Sequence, residues 1–389
     1  MKRQQTISYL LAVLLLGAVA VVEAGWDEGV AAFKAGNYTE AARQFQTFVD
    51  ERPDVFQGHY MLGQTLAKLD RNQEAISHLQ KALELEPGNV GVQLALGKVY
   101  LSAGRYGDAA VVLSKIDSSS LPAAQQTAVH QMMAVAAEKS GDSDRALDSL
   151  ARAAKAKPND ADIQFQYGAA ALRAGDGATA ASALAKAVQL DPNDIDKQKT
   201  YAQALLRQGR TSRGDAKTNA YKKAATAAQK VVSADGSYDN LMLLAGAQLG
   251  AKQYDGALAT SKQAAGKNPN DWLPLYYQGQ ALTQKGQFGT AESTLKQALG
   301  KASSSADKVT VWKQLGFVYE KQKSYDQAVT AYQNAGDSAS MARVEENRKT
   351  DQYNQQIEQE NEKIRALAEE EERLKEELKN LPGGPPPQD

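Results

Sequence analysis

One residue recurs along this chain at a near-constant interval, and that interval restricts the fold more than any other property. Alanine marks the same phase at Ala41, Ala75, Ala109, Ala146, Ala180, Ala224, Ala257, Ala291 and Ala328, at separations of 34, 34, 37, 34, 44, 33, 34 and 37 residues. Other residues keep step with it. Gly29, Gly63, Gly97, Gly168, Gly279 and Gly316 precede the marker within the same period, and Pro53, Pro87, Pro158, Pro192 and Pro269 close periods. Tyr38, Tyr106, Tyr254, Phe288 and Tyr325 stand three residues before it. Proline lacks an amide hydrogen and restricts the residue before it, so it stops a helix at the end of each period. Small residues at helical spacing let two helices approach closely. A hairpin of two helices cannot bury its apolar face alone, so the period predicts an all-α solenoid in which neighbours supply one another's core. Nine repeats from about Gly25 to Gly336 account for the spacing.

The ninth period is the most complete. It reads Trp312-x2-Leu315-Gly316-x2-Tyr319, then Ala328-x3-Tyr332, which resembles the signature of the tetratricopeptide repeat (TPR) family, W-x2-L-G-x2-Y…A-x3-F. The resemblance covers roughly four fifths of the chain and weakens in the fourth repeat, where Ala134 and Ala137 replace glycine and tyrosine, and in the sixth, with Ala202 for glycine. It implies a right-handed superhelix of about nine helix-turn-helix repeats, with first-helix residues lining a concave groove for an extended peptide or a partner's helix. By motif phase, the groove would present Tyr60, Gln64 and Lys68 in the second repeat and Lys98 in the third. Phe165 and Arg173 follow from the fifth, Lys199, Gln203 and Arg207 from the sixth, Tyr276 and Gln280 from the eighth, and Lys313, Phe317 and Lys321 from the ninth. Glutamines suit a peptide backbone, aromatics give apolar area, and the cations suit a carboxylate. The carboxylate clamp of the chaperone-binding branch is not matched, because Lys199 is followed four residues later by Gln203 rather than Asn.

The chain's ends read differently. Lys2 and Arg3, an apolar run from Ile7 to Val22 and a small-residue site at Val22-Glu23-Ala24 resemble a secretory signal spanning residues 1–24, so the mature protein is expected to start near Gly25. The alternative is an uncleaved inner-membrane anchor, against which the run is short for a bilayer span of roughly 20 residues. There is no cysteine for disulfides or a lipid anchor, which leaves a soluble periplasmic or secreted protein as the expected state.

Beyond Gly336 the period changes. Residues 337–381 predict a long charged helix whose first turns, with Met341 and Val344, cap the last repeat and whose remainder carries a heptad seam of Ile357, Ile364, Leu367, Leu374, Leu378 and Leu381. That seam predicts self-association or binding to another coil. Glu360 and Glu371 interrupt it, and residues 382–389, rich in glycine and proline, are expected to be disordered. The 44-residue interval predicts a long connection within the sixth repeat over Arg207 to Lys223, a basic loop for an acidic partner or a solvated insertion. Serine-rich segments at Ser118 to Pro122 and Ser303 to Ala306 predict loops.

Net charge is -1, giving no global attraction for nucleic acid or an anionic membrane. No cysteine nucleophile, metal-ligand cluster or phosphate loop appears among these residues, His59 and His130 fall where Trp312 packs in its own repeat, and carboxylates are scattered at helix-surface spacing. No catalytic residue, metal or cofactor is expected. Exported TPR proteins with a coiled-coil segment resemble bacterial envelope factors, which implies a non-enzymatic periplasmic scaffold binding components of a cell-envelope complex. The alternatives are a regulator of an envelope enzyme, such as one of cell-wall synthesis, or the same solenoid on an inner-membrane anchor.

Overall fold

A computed structural model describes residues 25–380, so the expected signal at Met1–Ala24, seam residue Leu381 and the tail 382–389 lie outside the described residues. The described residues are helical without strands. Helical residues 25–34 form α1, followed by α2 (Tyr38–Glu51), α3 (Phe56–Lys68), α4 (Asn72–Leu85), α5 (Val90–Ser102), α6 (Tyr106–Ser114), α7 (Ala123–Lys139), α8 (Ser143–Ala156), α9 (Ala161–Ala174) and α10 (Gly177–Leu190). Then come α11 (Ile195–Thr211), α12 (Gly214–Ala234), α13 (Tyr238–Gly250), α14 (Tyr254–Lys267), α15 (Leu273–Gln284), α16 (Phe288–Lys301), α17 (Ser305–Lys321), α18 (Tyr325–Asn334) and α19 (Ser338–Lys379). Odd and even helices up to α18 pair as nine hairpins, an all-α TPR solenoid, and α19 follows.

The glycine phase has a direct packing cause. A Cβ at Gly63 would lie 2.7 Å from the Leu79 Cγ, and one at Gly97 2.7 Å from the Leu113 Cδ2. At Gly168 and Gly279 the same atom would meet the Leu184 and Leu295 Cγ atoms at 2.5 Å. In each case the second-helix side chain sixteen positions later covers the glycine and is fully buried. Burying each such leucine contributes about 1.5–3 kcal/mol. The repeat ends show a second regularity. Gln164 and Gln198 donate to the carbonyls of Pro158 and Pro192, six residues earlier, at 3.2 and 3.0 Å, and His59 Nε2 lies 3.0 Å from the Pro53 carbonyl. Proline therefore ends a helix while its free carbonyl is satisfied by the next helix.

The chain divides into two compact units, one ending at Ala204 and the other starting at Leu205, within α11. In the first, one core runs from Phe45 through Leu79 and Leu113 to Val129 and Ala136. In the second, Leu282, Leu295, Leu315 and Tyr332 build a core that ends on Val344 of α19.

The sixth-repeat insertion corrects the expected loop. Arg207 to Lys223 is helical except for a break at residues 212–213, because α11 and α12 lengthen to 17 and 21 residues. Tyr221 gives the insertion a packing role: its ring occupies the space that a Cβ at Gly209 would enter at 2.8 Å, and it covers Gly250 in the same way. Ser118–Ser120 forms a 3₁₀ turn in the expected loop. At the ninth repeat the extra residues lengthen α17, with Ser304 capping its start by accepting from the Asp307 amide at 3.1 Å.

The first turns of α19 pack on the last repeat, where Val344 is fully buried and Met341 joins the core. Arg343 pairs with Glu320 at 2.9 Å, Arg348 with Asp326 at 3.0 Å and Lys323 with Asp351 at 2.8 Å. From residue 352 onward every described residue of α19 is exposed.

Candidate functional site

The first unit gathers four of the groove residues expected from sequence. Tyr60 and Gln64 project from α3 and Lys98 from α5 into a cavity of 600 Å³, which Gly91, Leu94 and Ala95 of α5 and Gln125, Ala128, Gln131 and Met132 of α7 complete. Gln64, Lys68 and Lys98 also line an adjoining cavity of 320 Å³ with Phe33 of α1. The site is thus a continuous face of successive first helices. Gly91 lies beside the Tyr60 ring, where a Cβ would stand 3.4 Å from the hydroxyl, an ordinary contact distance. Burial pushes the Tyr60 phenol up, opposed by its contact with Gln64, so it stays a neutral hydrogen-bonding group at physiological pH.

Charge distinguishes this face. Neither cavity is lined by an aspartate or glutamate, and the exposed ammonium groups of Lys68 and Lys98 are in no ion pair among the described residues. Two unpaired cations beside amides and apolar side chains can take an extended peptide bearing a carboxylate.

Groove residues of later repeats serve the fold's own contacts. The Lys197 ammonium lies 5.9 Å from the ring centroid of half-buried Phe165, and Arg173 pairs with Glu138 of α7 at 3.1 Å. Lys197 is itself buried against Asp162, Asp191 and Asp194, at 2.9, 3.3 and 2.6 Å, and these carboxylates, Asp194 foremost, hold its ammonium well above the usual lysine range. Lys199 is half-buried and Gln203 exposed on α11, while exposed Arg207 falls in the second unit.

In that second unit the Gln280 amide donates to the Tyr276 hydroxyl at 2.9 Å, and the Tyr276 ring packs between Trp272 and Tyr277 at centroid distances of 5.5 and 6.1 Å. Lys321 sits 5.3 Å from the Phe317 ring centroid, and Lys313 lies 3.6 Å from Asp337. These pairs satisfy each other locally.

The sequence reading missed the contribution of α7. Its motif is eroded, yet the phase that names Tyr60, three residues before Gly63, names Gln131 when counted from Ala134 and Leu94 when counted from Gly97. Gln131 also donates to the Gln166 side chain of α9 at 3.0 Å, joining neighbouring first helices.

No group of three or more His, Cys, Asp or Glu side chains among the described residues could hold a metal ion. His59 and His78 form a pair, with their Nδ1 atoms 3.0 Å apart. No helix among the described residues is long and apolar enough to cross a membrane.

Comparison with known proteins agrees with the repeat geometry. A tetratricopeptide repeat family profile matches residues 27–90 and 132–195, and a second of the same description matches residues 66–134. Over residues 27–195 the chain is a tetratricopeptide repeat protein. The repeats of this family are typically modules for binding other proteins rather than catalysts. Peroxisome biogenesis protein 5 of Arabidopsis thaliana is 39% identical to this TPR chain over 70 residues, 18% of this chain and 10% of that protein, so the match spans a small part of the relative's length. Among solved structures, the C-terminal part of a TPR repeat-containing protein from Cytophaga hutchinsonii is 14% identical, covering 65% of this chain and 98% of that one at a TM-score of 0.49. YrrB, described as a TPR protein with an unusual peptide-binding site, is 20% identical over 51% of this chain and 96% of its own, with a TM-score of 0.42. MamA from Desulfovibrio magneticus RS-1 is 20% identical over 44% and 96%, with a TM-score of 0.41.

Proposed function

We propose that this TPR protein is a non-enzymatic scaffold of the periplasm, exported by the segment Met1–Ala24, that assembles components of a cell-envelope complex by holding a partner's extended peptide on α3, α5 and α7. The observation that carries the reading is the 600 Å³ cavity lined by three successive first helices, with Lys98 as its one charged side chain. Tyr60, Leu94 and Met132 offer apolar area, and Gln64, Gln125 and Gln131 offer amides able to pair with a peptide backbone. Lys68 and Lys98 favour a ligand with a terminal or side-chain carboxylate. The export half of the proposal rests on the basic start, apolar run and small-residue site of residues 1–24.

The test is a fluorescence-anisotropy titration of the chain starting at Gly25 with extended acidic peptides and their amide-substituted counterparts. The acidic peptides bind more tightly, and added salt weakens them. Tyr60→Ala with Lys98→Ala reduces affinity by roughly tenfold to a hundredfold with helicity unchanged. Affinity unaffected by the double substitution would remove the groove as the site. Protease protection in intact cells and in spheroplasts tests the compartment: digestion only after the outer membrane is opened supports a periplasmic location, and resistance in spheroplasts contradicts it.

A further inference from the structure

The exposed half of α19 carries large apolar side chains with no cover: Tyr353 is 63% exposed, Ile357 38%, Ile364 62%, Leu367 65%, Leu374 48% and Leu378 61%. Their spacings are 4, 7, 3, 7 and 4 residues. Among the described residues this order reads the same in both directions, with its centre between Arg365 and Ala366, while in the sequence Leu381 follows Leu378 by a further three residues. That point is also the midpoint of the segment that begins after Asp351, the last residue of α19 tied to the solenoid, and ends at Lys379.

We infer that this face binds a second copy of itself, antiparallel, about a twofold axis between Arg365 and Ala366. An isologous pair needs a surface complementary to its own rotated image, and the palindromic spacing supplies one. Tyr353 meets Leu378 of the second copy, Ile357 meets Leu374 and Ile364 meets Leu367, all at heptad positions. The overlap spans the described free segment of α19, residues 352–379. The acids Glu360 and Glu371 fall opposite each other instead of against apolar residues, and each has a base nearby on its own helix: Lys363 follows Glu360 by three residues, and Lys375 is 2.8 Å from Glu371.

Charge sets the direction. The half from residue 352 to 365 has three acids and two bases, whereas that from 366 to 379 has six acids and three bases. A parallel pair would place the two more acidic halves together, and an antiparallel pair sets each beside the less acidic one. The antiparallel register also brings Lys363 beside Glu370 of the second copy, twice by symmetry, at the flanking positions that select partner and orientation. The inference is independent of the groove, which lies in the other unit.

Sedimentation equilibrium on the chain starting at Gly25 tests it. Dimer is expected below about 100 μM, and Ile364→Glu with Leu367→Glu abolishes it while the melting of the solenoid is retained. Charge reversal discriminates further: Lys363→Glu weakens the dimer and adding Glu370→Lys restores it. The chain has no cysteine, so orientation can be read from single thiols. Like copies of Ile357→Cys lie about 25 Å apart along the antiparallel coil, as do those of Leu374→Cys. Neither variant cross-links alone, and a mixture forms the mixed disulfide. Self-linking of either variant alone would show a parallel pair and overturn the inference. A monomer throughout the concentration range would overturn it too, and would leave the face to a different chain.

Discussion

At Asp70, Lys252 and Lys323 the backbone turns with φ of 58°, 61° and 58°, where the matching turns of other repeats carry Gly36, Gly104, Gly141, Gly175 and Gly286. An L side chain in this left-handed region costs about 1 kcal/mol that glycine avoids. Asp70→Gly and Lys252→Gly are therefore expected to raise stability by about 0.5–1 kcal/mol each, seen as higher urea midpoints; lower midpoints would mean that the side chains stabilise their turns. Lys323 is a poorer choice, since it also pairs with Asp351. Glycine within the first helices has the opposite requirement. Gly279→Ala drives a Cβ to 2.5 Å from the Leu295 Cγ, while Gly289 faces open space. The first substitution is expected to cost about 1–3 kcal/mol by overpacking, and Gly289→Ala to stay within about 0.5 kcal/mol. Equal midpoints for the two would refute the close-approach explanation of the glycine phase.

Between helices, the imidazole pair couples α3 to α4 and makes the first unit sensitive to acid. Pro53 can only accept, so His59 Nε2 carries the hydrogen and its bare Nδ1 accepts from His78. Burial, then the neighbouring His59, pushes the His78 imidazole below its usual range, and burial followed by Arg152 does the same to His130, whose Nδ1 has no partner. A base with a depressed folded value binds fewer protons folded than unfolded, so stability is retained above about pH 6.5 and lost as pH falls toward the folded values. The urea midpoint at pH 5.5 is expected to lie below that at pH 7.5, with His78→Gln and His130→Gln each reducing the difference. A flat profile between these values, where carboxylates remain ionised, would contradict it. The repeat alanines and glycines made the hairpins legible in the sequence because helix contact admits few residue types, and Tyr60, Gln64, Lys68 and Lys98 followed from that phase. Phase alone did not reveal which cations were already paired, as Arg173 is with Glu138. Nor did it reveal that Tyr221 would order the insertion, since its basic composition concealed a ring that packs over Gly209 and Gly250.

Over the whole molecule, α19 joins two roles along one rod, and the boundary at Asp351 lets them be separated. Before it, Val344 is fully buried, Met341 joins the last core, and Arg343 neutralises the largely buried carboxylate of Glu320. After it, nothing within the chain covers the helix among the described residues. A solenoid's last repeat has an open apolar face and depends on such a cap. Ending the chain after Gly336 removes the buried valine and strands Glu320, which is expected to lower the stability of the second unit by about 2–4 kcal/mol. Ending it after Gln352 keeps those contacts and is expected to change stability by less than about 0.5 kcal/mol while removing the self-association face. Thermal and urea unfolding of the two truncated chains beside the parent checks this, and equal losses would mean that the free segment supports the fold. The distinction also governs any binding experiment: partner loss on ending the chain after Gln352 reports the missing helix face, whereas loss on ending it after Gly336 can arise from a damaged last repeat.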